Sequence, residues 1–315
     1  MPSQDDEEVA PQRMQGAFRL FELAGITVFL HWSWLFVAVI EVQHRSSQYK
    51  SMLFNVVEYL ALFGLVLMHE FGHSLACRSV GGKADRILLW PLGGVAFVNP
   101  PQRPGATLWS IVAGPLVNVI MVPVLIGLGT AMGAMGVWKM SPDAFALWRA
   151  VSFINIALLI FNLMPVYPLD GGQILRSLLW FPLGRANSLL ITAIFGLVGV
   201  VLLILLALIL SDIWLGIVAA FVLLSCWSGI RSGIAMARID RLPRHEGVAC
   251  PGCGAAPFVG TYWQCNRCQT AFDTFTTNAT CPNCGTIFLT TLCAECGESN
   301  PLSKWKDHRP PTRRN

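Results

Sequence analysis

Long apolar runs alternate with short polar stretches along this chain. Six of the runs approach the roughly 20 residues that a helix needs to cross a bilayer. They cover residues 26–42, 54–76, 108–131, 145–164, 189–210 and 213–230, the first being the shortest. Only Ser211 and Asp212 separate the fifth from the sixth, which predicts a tight helical hairpin. Residues 87–98 are apolar but too few to span, and they contain Pro91, Gly93 and Gly94. This pattern predicts two short strands, 87–90 and 95–98, around a turn. Non-helical backbone at membrane depth must face protein or water, so the segment should line a cavity or lie at the interface. The pattern as a whole predicts an all-α polytopic membrane protein of about six transmembrane helices with a short β-hairpin at the membrane interface.

Composition supports a lipid-facing chain. Charged residues make up 13% of the 315, against about 25% in a soluble protein. The net charge of +4 is spread over loops and tail, a sign of membrane topology and not of a nucleic-acid footprint. Lys and Arg concentrate in the loops after the second and fourth spans and near both termini, which predicts that these regions are cytosolic. Residues 1–18 form a polar, acidic segment without the pattern of a cleavable signal peptide. A membrane domain is expected over 19–240, a polar linker over 241–247, a Cys-rich module over 248–300 and a basic, disordered tail over 301–315.

The strongest chemical signal is His69-Glu70-Phe71-Gly72-His73. On a helix, positions i and i+4 share a face, so both imidazoles can reach one zinc ion. Glu70 then stands beside the metal and can take a proton from zinc-bound water. The bland alternative is a chance match on an interfacial helix. It is outweighed by the cost of two histidines and a glutamate at the end of an apolar span.

A catalytic zinc usually has three protein ligands and one open position. His31, Asp85 and Asp170 are candidates for the third. Spans two and four run in the same direction, so His73 and Asp170 emerge at one face, which favours Asp170. Pro165 and Pro168 break the helix before Asp170, and Gly171 and Gly172 let the backbone bend after it. Asn118 and Asn162 are amides inside spans. Each could simply bond a neighbouring helix, or could orient substrate backbone or stabilise an oxyanion.

Eight of the ten cysteines form four Cys-x-x-Cys knuckles: Cys250 with Cys253, Cys265 with Cys268, Cys281 with Cys284, and Cys293 with Cys296. Two knuckles complete a tetrahedron, so eight thiolates imply two structural zinc ions in a reducing compartment. Pairing of the knuckles can be consecutive or interleaved. The module resembles double zinc ribbon domains. It either folds as a small β-rich unit and nothing more, or docks a substrate or regulator. Glu295, Glu298 and the lack of basic clustering disfavour nucleic acid.

With these motifs in hand, the chain resembles the site-2 protease family of intramembrane zinc proteases. That family pairs His-Glu-x-x-His on one helix with Asn-x-x-Pro-x-x-x-Leu-Asp-Gly on a later one, matched here by His69 to His73 and by Asn162 to Gly171. Ala113-Gly114-Pro115-Leu116-Val117-Asn118 resembles the family's small-Gly-Pro-x-x-Asn element. His31-Trp32-Ser33-Trp34-Leu35 resembles the N-terminal stretch of compact prokaryotic members. The resemblance covers about residues 20–235. It implies that His69, His73 and Asp170 bind one catalytic zinc and that Glu70 is the catalytic base. It also implies cleavage of a membrane-anchored protein in regulated intramembrane proteolysis, in a prokaryotic plasma membrane. The chain departs from relatives in having no PDZ-sized insertion, and a Cys-rich tail where others carry a CBS module. Two other functions compete: a metal transporter and a catalytically inactive adaptor. Neither needs a glutamate between the ligands or a broken helix that delivers Asp170.

Overall fold

The computed structural model describes residues 16–44, 48–90 and 93–307. The acidic start, part of the turn at 91–94 and the basic end from residue 308 lie outside the described residues. The described chain divides into two compact units, Met1–Gly233 and Ile234–Asn315.

The first unit opens with β1 (Ala17–Leu23) and β2 (Ile26–His31), an antiparallel hairpin. Its turn is Ala24-Gly25, both with positive φ (51° and 70°), which matches the right-handed twist of the strands. Then come α1 (Ser33–His44), α2 (Met52–Ser79), β3 (Lys83–Trp90) and β4 (Gly93–Asn99). The four strands form one sheet in the order β1-β2-β3-β4, with β2 and β3 parallel. Parallel neighbours need a crossover, here α1 and α2. Alternate residues Ile26, Val28, Ile87 and Leu89 are fully buried and cluster with Trp34 and Val66. Arg78, in the last turn of α2, donates to the carbonyls of Ala24, Gly25 and Ala84, which ties the helix end to the sheet.

This arrangement corrects two expectations. The segment 26–42 is not a spanning helix: it is strand β2 followed by α1, whose 12 residues reach only about 18 Å. The apolar strand runs straight into an apolar helix, so a hydropathy window sees one continuous span. Among the described residues, five helices are long and apolar enough to cross a membrane. The expected hairpin at 87–98 is half of a larger sheet, whose other half lies partly in the stretch read as a polar N-terminal segment.

The remaining helices are α3 (Pro104–Ala134), the short α4 (Val137–Met140), α5 (Pro142–Leu163), α6 (Asp170–Leu210) and α7 (Ile213–Asp240). The starts of α2 and α5 meet: the Asp143 carboxylate accepts from the backbone N–H groups of Lys50 (3.1 Å) and Ser51 (3.0 Å). The two helices therefore run in the same direction. α2 and α3 approach closely at small residues. A Cβ on Gly72 would lie 2.6 Å from the Ala113 carbonyl oxygen, so only glycine permits that spacing.

α6 is two helices joined at Gly184, which has φ 78° and ψ 173°. A straight helix would put Asp170 and Gly196 about 39 Å apart. Yet residues just before Asp170 touch the second half: a Cβ on Gly199 would meet Val166 at 2.6 Å, and Tyr167 backbone stands beside Gly196. The chain therefore folds back at Gly184. The loop 164–169 packs against the middle of the apolar stretch 185–210, and Cys226 of α7 donates its S–H to the Tyr167 carbonyl (3.1 Å). The loop is non-helical backbone inside the bundle, where protein satisfies it.

The second unit is built on β5 (Trp263–Gln264), β6 (Ala271–Phe272), β7 (Thr291–Leu292), β8 (Ser299–Asn300) and α8 (Leu302–Asp307). β5 pairs with β6 and β7 with β8. The basic segment expected to be disordered from residue 301 instead begins with α8. Its Trp305 is 1% exposed and packs on Phe275, Cys250 and Cys293.

Candidate metal centre

α2 presents His69, Glu70 and His73 inward, all at most 6% exposed. Asp170 is the first residue of α6. His69 Nε2 lies 2.9 Å from Asp170 Oδ2 and 3.1 Å from His73 Nε2, and His73 Nε2 lies 3.3 Å from the same carboxylate oxygen. Ligand atoms around a tetrahedral zinc stand about 3.3 Å apart for bonds of 2.0–2.1 Å, so the triangle fits one face of such a site. His73 Nδ1 donates to the Ser110 carbonyl (2.9 Å). A carbonyl can only accept, so Nδ1 carries a proton, and the neutral ring turns its Nε2 lone pair toward the other two groups. Converging lone pairs of this kind call for a cation.

The space itself is made by glycines. A Cβ on Gly114 would lie 2.3 Å from His73 Nε2 and 2.9 Å from His69 Nε2. A Cβ on Gly94 would lie 2.3 Å from Glu70 Cγ. Glu70 stands outside the ligand triangle, and its Oε2 accepts the Ala96 N–H of β4 (2.9 Å). These groups line a cavity of about 510 Å³ that includes Asn162, Gln173 and the edge strand β4.

The other candidates lie elsewhere. His31 Nδ1 pairs with Ser33 Oγ (2.5 Å), and exposed Asp85 pairs with Arg86 (3.3 Å). Asn118 does not face the cavity. It is fully buried, with Oδ1 2.6 Å from His69 Nδ1 and Nδ2 donating to Asn155 Oδ1 (2.9 Å). The amides on the cavity wall are Asn162 and Gln173. Asn155 was not singled out from sequence. Its spacing of seven from Asn162, two helical turns on one face of α5, is the signal that could have found it.

The tail cysteines form two clusters, Cys250, Cys253, Cys293, Cys296 and Cys265, Cys268, Cys281, Cys284. The pairing is nested, the outer knuckles enclosing the inner. Sγ atoms stand 3.7 Å (Cys250–Cys296), 3.8 Å (Cys253–Cys293), 3.6 Å (Cys265–Cys284) and 3.5 Å (Cys268–Cys281) apart. A tetrahedral zinc with 2.3 Å bonds asks for about 3.8 Å. All four knuckles close alike. The first cysteine N–H donates to the carbonyl five residues on, and its carbonyl accepts from the N–H four residues on (2.8–3.0 Å). The Thr270 hydroxyl and N–H hold the Cys268 thiol down to about 5. Burial and neighbouring thiols push Cys281 up to about 11. Four thiolates cannot coexist there without a cation, and zinc suits them.

Fold and site together define a membrane-embedded two-histidine, one-carboxylate centre with a glutamate beside it. The sequence profile of peptidase family M50 matches residues 57–140 and 132–206. A solved site-2 protease from Methanocaldococcus jannaschii is 30% identical, with a TM-score of 0.50, and the match covers 68% of this chain and 95% of that one. The chain is 32% identical over 209 residues to zinc metalloprotease MJ0392 of the same organism, and 29% identical over 120 residues to stage IV sporulation protein FB of Bacillus subtilis. It spans 59% of the former and 38% of the latter. The chain belongs to the site-2 protease family, and it is an integral membrane protein.

Proposed function

We propose that this chain is a zinc endopeptidase that hydrolyses peptide bonds in or near transmembrane segments of membrane-anchored proteins, as in regulated intramembrane proteolysis. The observation that carries the reading is the cavity at the end of loop 164–169. There the ligand triangle, Glu70 and the edge of β4, which no strand covers among the described residues, face one space inside the helix bundle. His69, His73 and Asp170 would hold one zinc, which supplies Lewis acidity and a more acidic water. Glu70 takes the proton of the attacking water and returns it to the leaving amine. The Ala96 N–H holds the Glu70 carboxylate in place. Asn162 donates to the oxygen on which charge develops. A substrate must unwind to expose its carbonyls, and β4 can receive it as an added strand. In the antiparallel pairing of β3 with β4, outward groups fall on alternate residues. Ala96 points outward to Glu70, so Gly94 and Val98 are the positions left for substrate backbone.

The protease domain is taken as 19–240. The Cys-rich module is read as two closed structural zinc sites that serve as a docking element for substrate or regulator. The Lys and Arg distribution supports cytosolic termini, in a prokaryotic plasma membrane. The test is cleavage of a membrane-anchored substrate by the purified chain in lipid vesicles. Cleavage should stop with chelator and return with zinc. Chelator-insensitive cleavage would remove the metal from the mechanism, and metal uptake without cleavage would favour transport.

A further inference from the structure

We infer that Asn155 sets which nitrogen of His69 carries the proton, acting through Asn118, and is thus a positioning residue for the metal centre. The inference rests on the reading of His69 as a metal ligand. His73 needs no such device, because a backbone carbonyl fixes its tautomer directly. His69 Nδ1 instead faces a side-chain amide, and an amide can turn either end toward it. Turned with oxygen inward, Asn118 accepts from Nδ1–H and leaves the Nε2 lone pair free for metal. Turned with nitrogen inward, it donates to Nδ1 and drives the proton onto Nε2, which then cannot ligate.

The chain of donors resolves the choice from one fixed point. Asn155 Nδ2 lies 3.0 Å from the Asn118 backbone carbonyl, which can only accept. Asn155 must therefore present its nitrogen there, and its oxygen faces the Asn118 side chain. Asn118 must in turn donate to that oxygen through Nδ2 (2.9 Å), which leaves its own Oδ1 to face His69 at 2.6 Å. Both amides are fully buried, so water cannot substitute for either partner. A backbone carbonyl of α3 thus orients an imidazole of α2 through a side chain of α5. Without Asn155, the Asn118 amide loses the reason to keep its oxygen toward His69. Partners of metal-bound histidines generally contribute 10–100-fold to affinity.

The test uses the full chain in bilayers, with Asn155→Leu, Asn118→Leu and the double variant. Cobalt separates the two kinds of site, since only the tail gives thiolate charge-transfer bands. Asn155→Leu should weaken cobalt binding at the membrane site by about 10–100-fold, while tail bands stay unchanged; the bundle itself loses thermal stability, because Asn118 is left with buried groups that have no partner. The double variant should be no worse than the more severe single one, because both act on one histidine. Full additivity, or wild-type affinity in Asn155→Leu, would overturn the inference. A measurement without variants also decides it: ¹⁵N spectra of the metal-free wild type should show His69 protonated at Nδ1. A bare Nδ1, with the proton on Nε2 alone, would overturn the relay even if all variants misfolded. Absence of cobalt uptake outside the tail would instead defeat the metal reading, and the ¹⁵N spectra would still judge the tautomer.

Discussion

The chain holds two kinds of candidate metal environment, and they are built on opposite plans. In the membrane unit the ligands come from α2 and α6, 101 residues apart in sequence. They are positioned by helix packing, by glycines that make room, and by hydrogen bonds to Ser110 and Asn118. In the tail each site is assembled from two local knuckles with repeated backbone geometry, and the cysteines themselves belong to the small cores. The first offers two imidazoles and a carboxylate, with Glu70 beside them and held by the Ala96 N–H. The second offers four identical ligands, on knuckles closed by backbone hydrogen bonds and packed against Trp305, Phe275 and Phe272. The difference teaches that one chain can gather a ligand set by packing distant helices in one half and by repeating a local turn in the other.

The sharpest way to break this comparison is to remove metal from both. Structural zinc in small thiolate modules is linked to folding by about 10–16 kcal/mol. Exhaustive chelation should therefore unfold residues 248–307 and leave the helical bundle intact, as read by hydrogen exchange. Joint survival of both regions would erase the distinction.

Next in size is Gly114→Ala. The new methyl would occupy the space beside both imidazoles, so metal affinity at the membrane site should fall by more than about 100-fold, beyond the effect of losing an outer hydrogen bond. Competition with a graded series of chelators reads this, and tail loading should not change.

Asp273 gives a smaller effect confined to the tail. Burial opposes its charge, but N–H groups of Gly260 and Phe275 and the His245 ring hold its carboxyl below the usual range. A depressed carboxyl contributes stability above its unfolded pKa of about 3.9, and this is lost as pH falls through the lower folded value. Asp273→Asn should cost the tail about 1–3 kcal/mol near neutral pH and flatten its acid sensitivity. Calorimetry of the two unfolding transitions would show whether the membrane unit is spared.

The smallest expected change concerns one knuckle. The fourth residue after the first cysteine has positive φ in all four: Gly254 (73°), Gln269 (61°), Gly285 (69°) and Gly297 (75°). Gln269 is the exception to glycine there. Gln269→Gly should relieve about 1 kcal/mol of left-handed strain, partly offset by unfolded-chain entropy. A small rise in tail melting temperature is expected, and a fall would show that the side chain of Gln269 contributes more than its backbone costs.

The parts legible from sequence were those written in local spacing. The His69/His73 pair, the helix break before Asp170 and the four knuckles each lie within a dozen residues, and periodicity alone exposes them. What escaped was set by partners distant in sequence. β2 reads as the start of a span because its apolar residues run into α1 without a polar break. Pro182, Gly184 and Arg185 interrupt the apolar pattern before residue 189, but the direction of the fold-back is set by contacts of Val166 and Tyr167 with Gly196 and Gly199. Asn118 was noticed for being polar in a span, but its role depends on which face of α3 meets α2. The nesting of the knuckles is likewise a matter of pairing that spacing leaves open.

The central claim is that Glu70 serves as the base at a metal centre it does not help to hold. Glu70→Gln keeps the shape and the Ala96 contact but removes the proton acceptor. With zinc per chain measured beside cleavage of a membrane-anchored substrate, metal content should equal that of the unsubstituted chain, while turnover drops by about 10²–10⁴-fold. Undiminished turnover at full metal content would contradict the assignment, as would loss of zinc from the membrane site in proportion to lost activity.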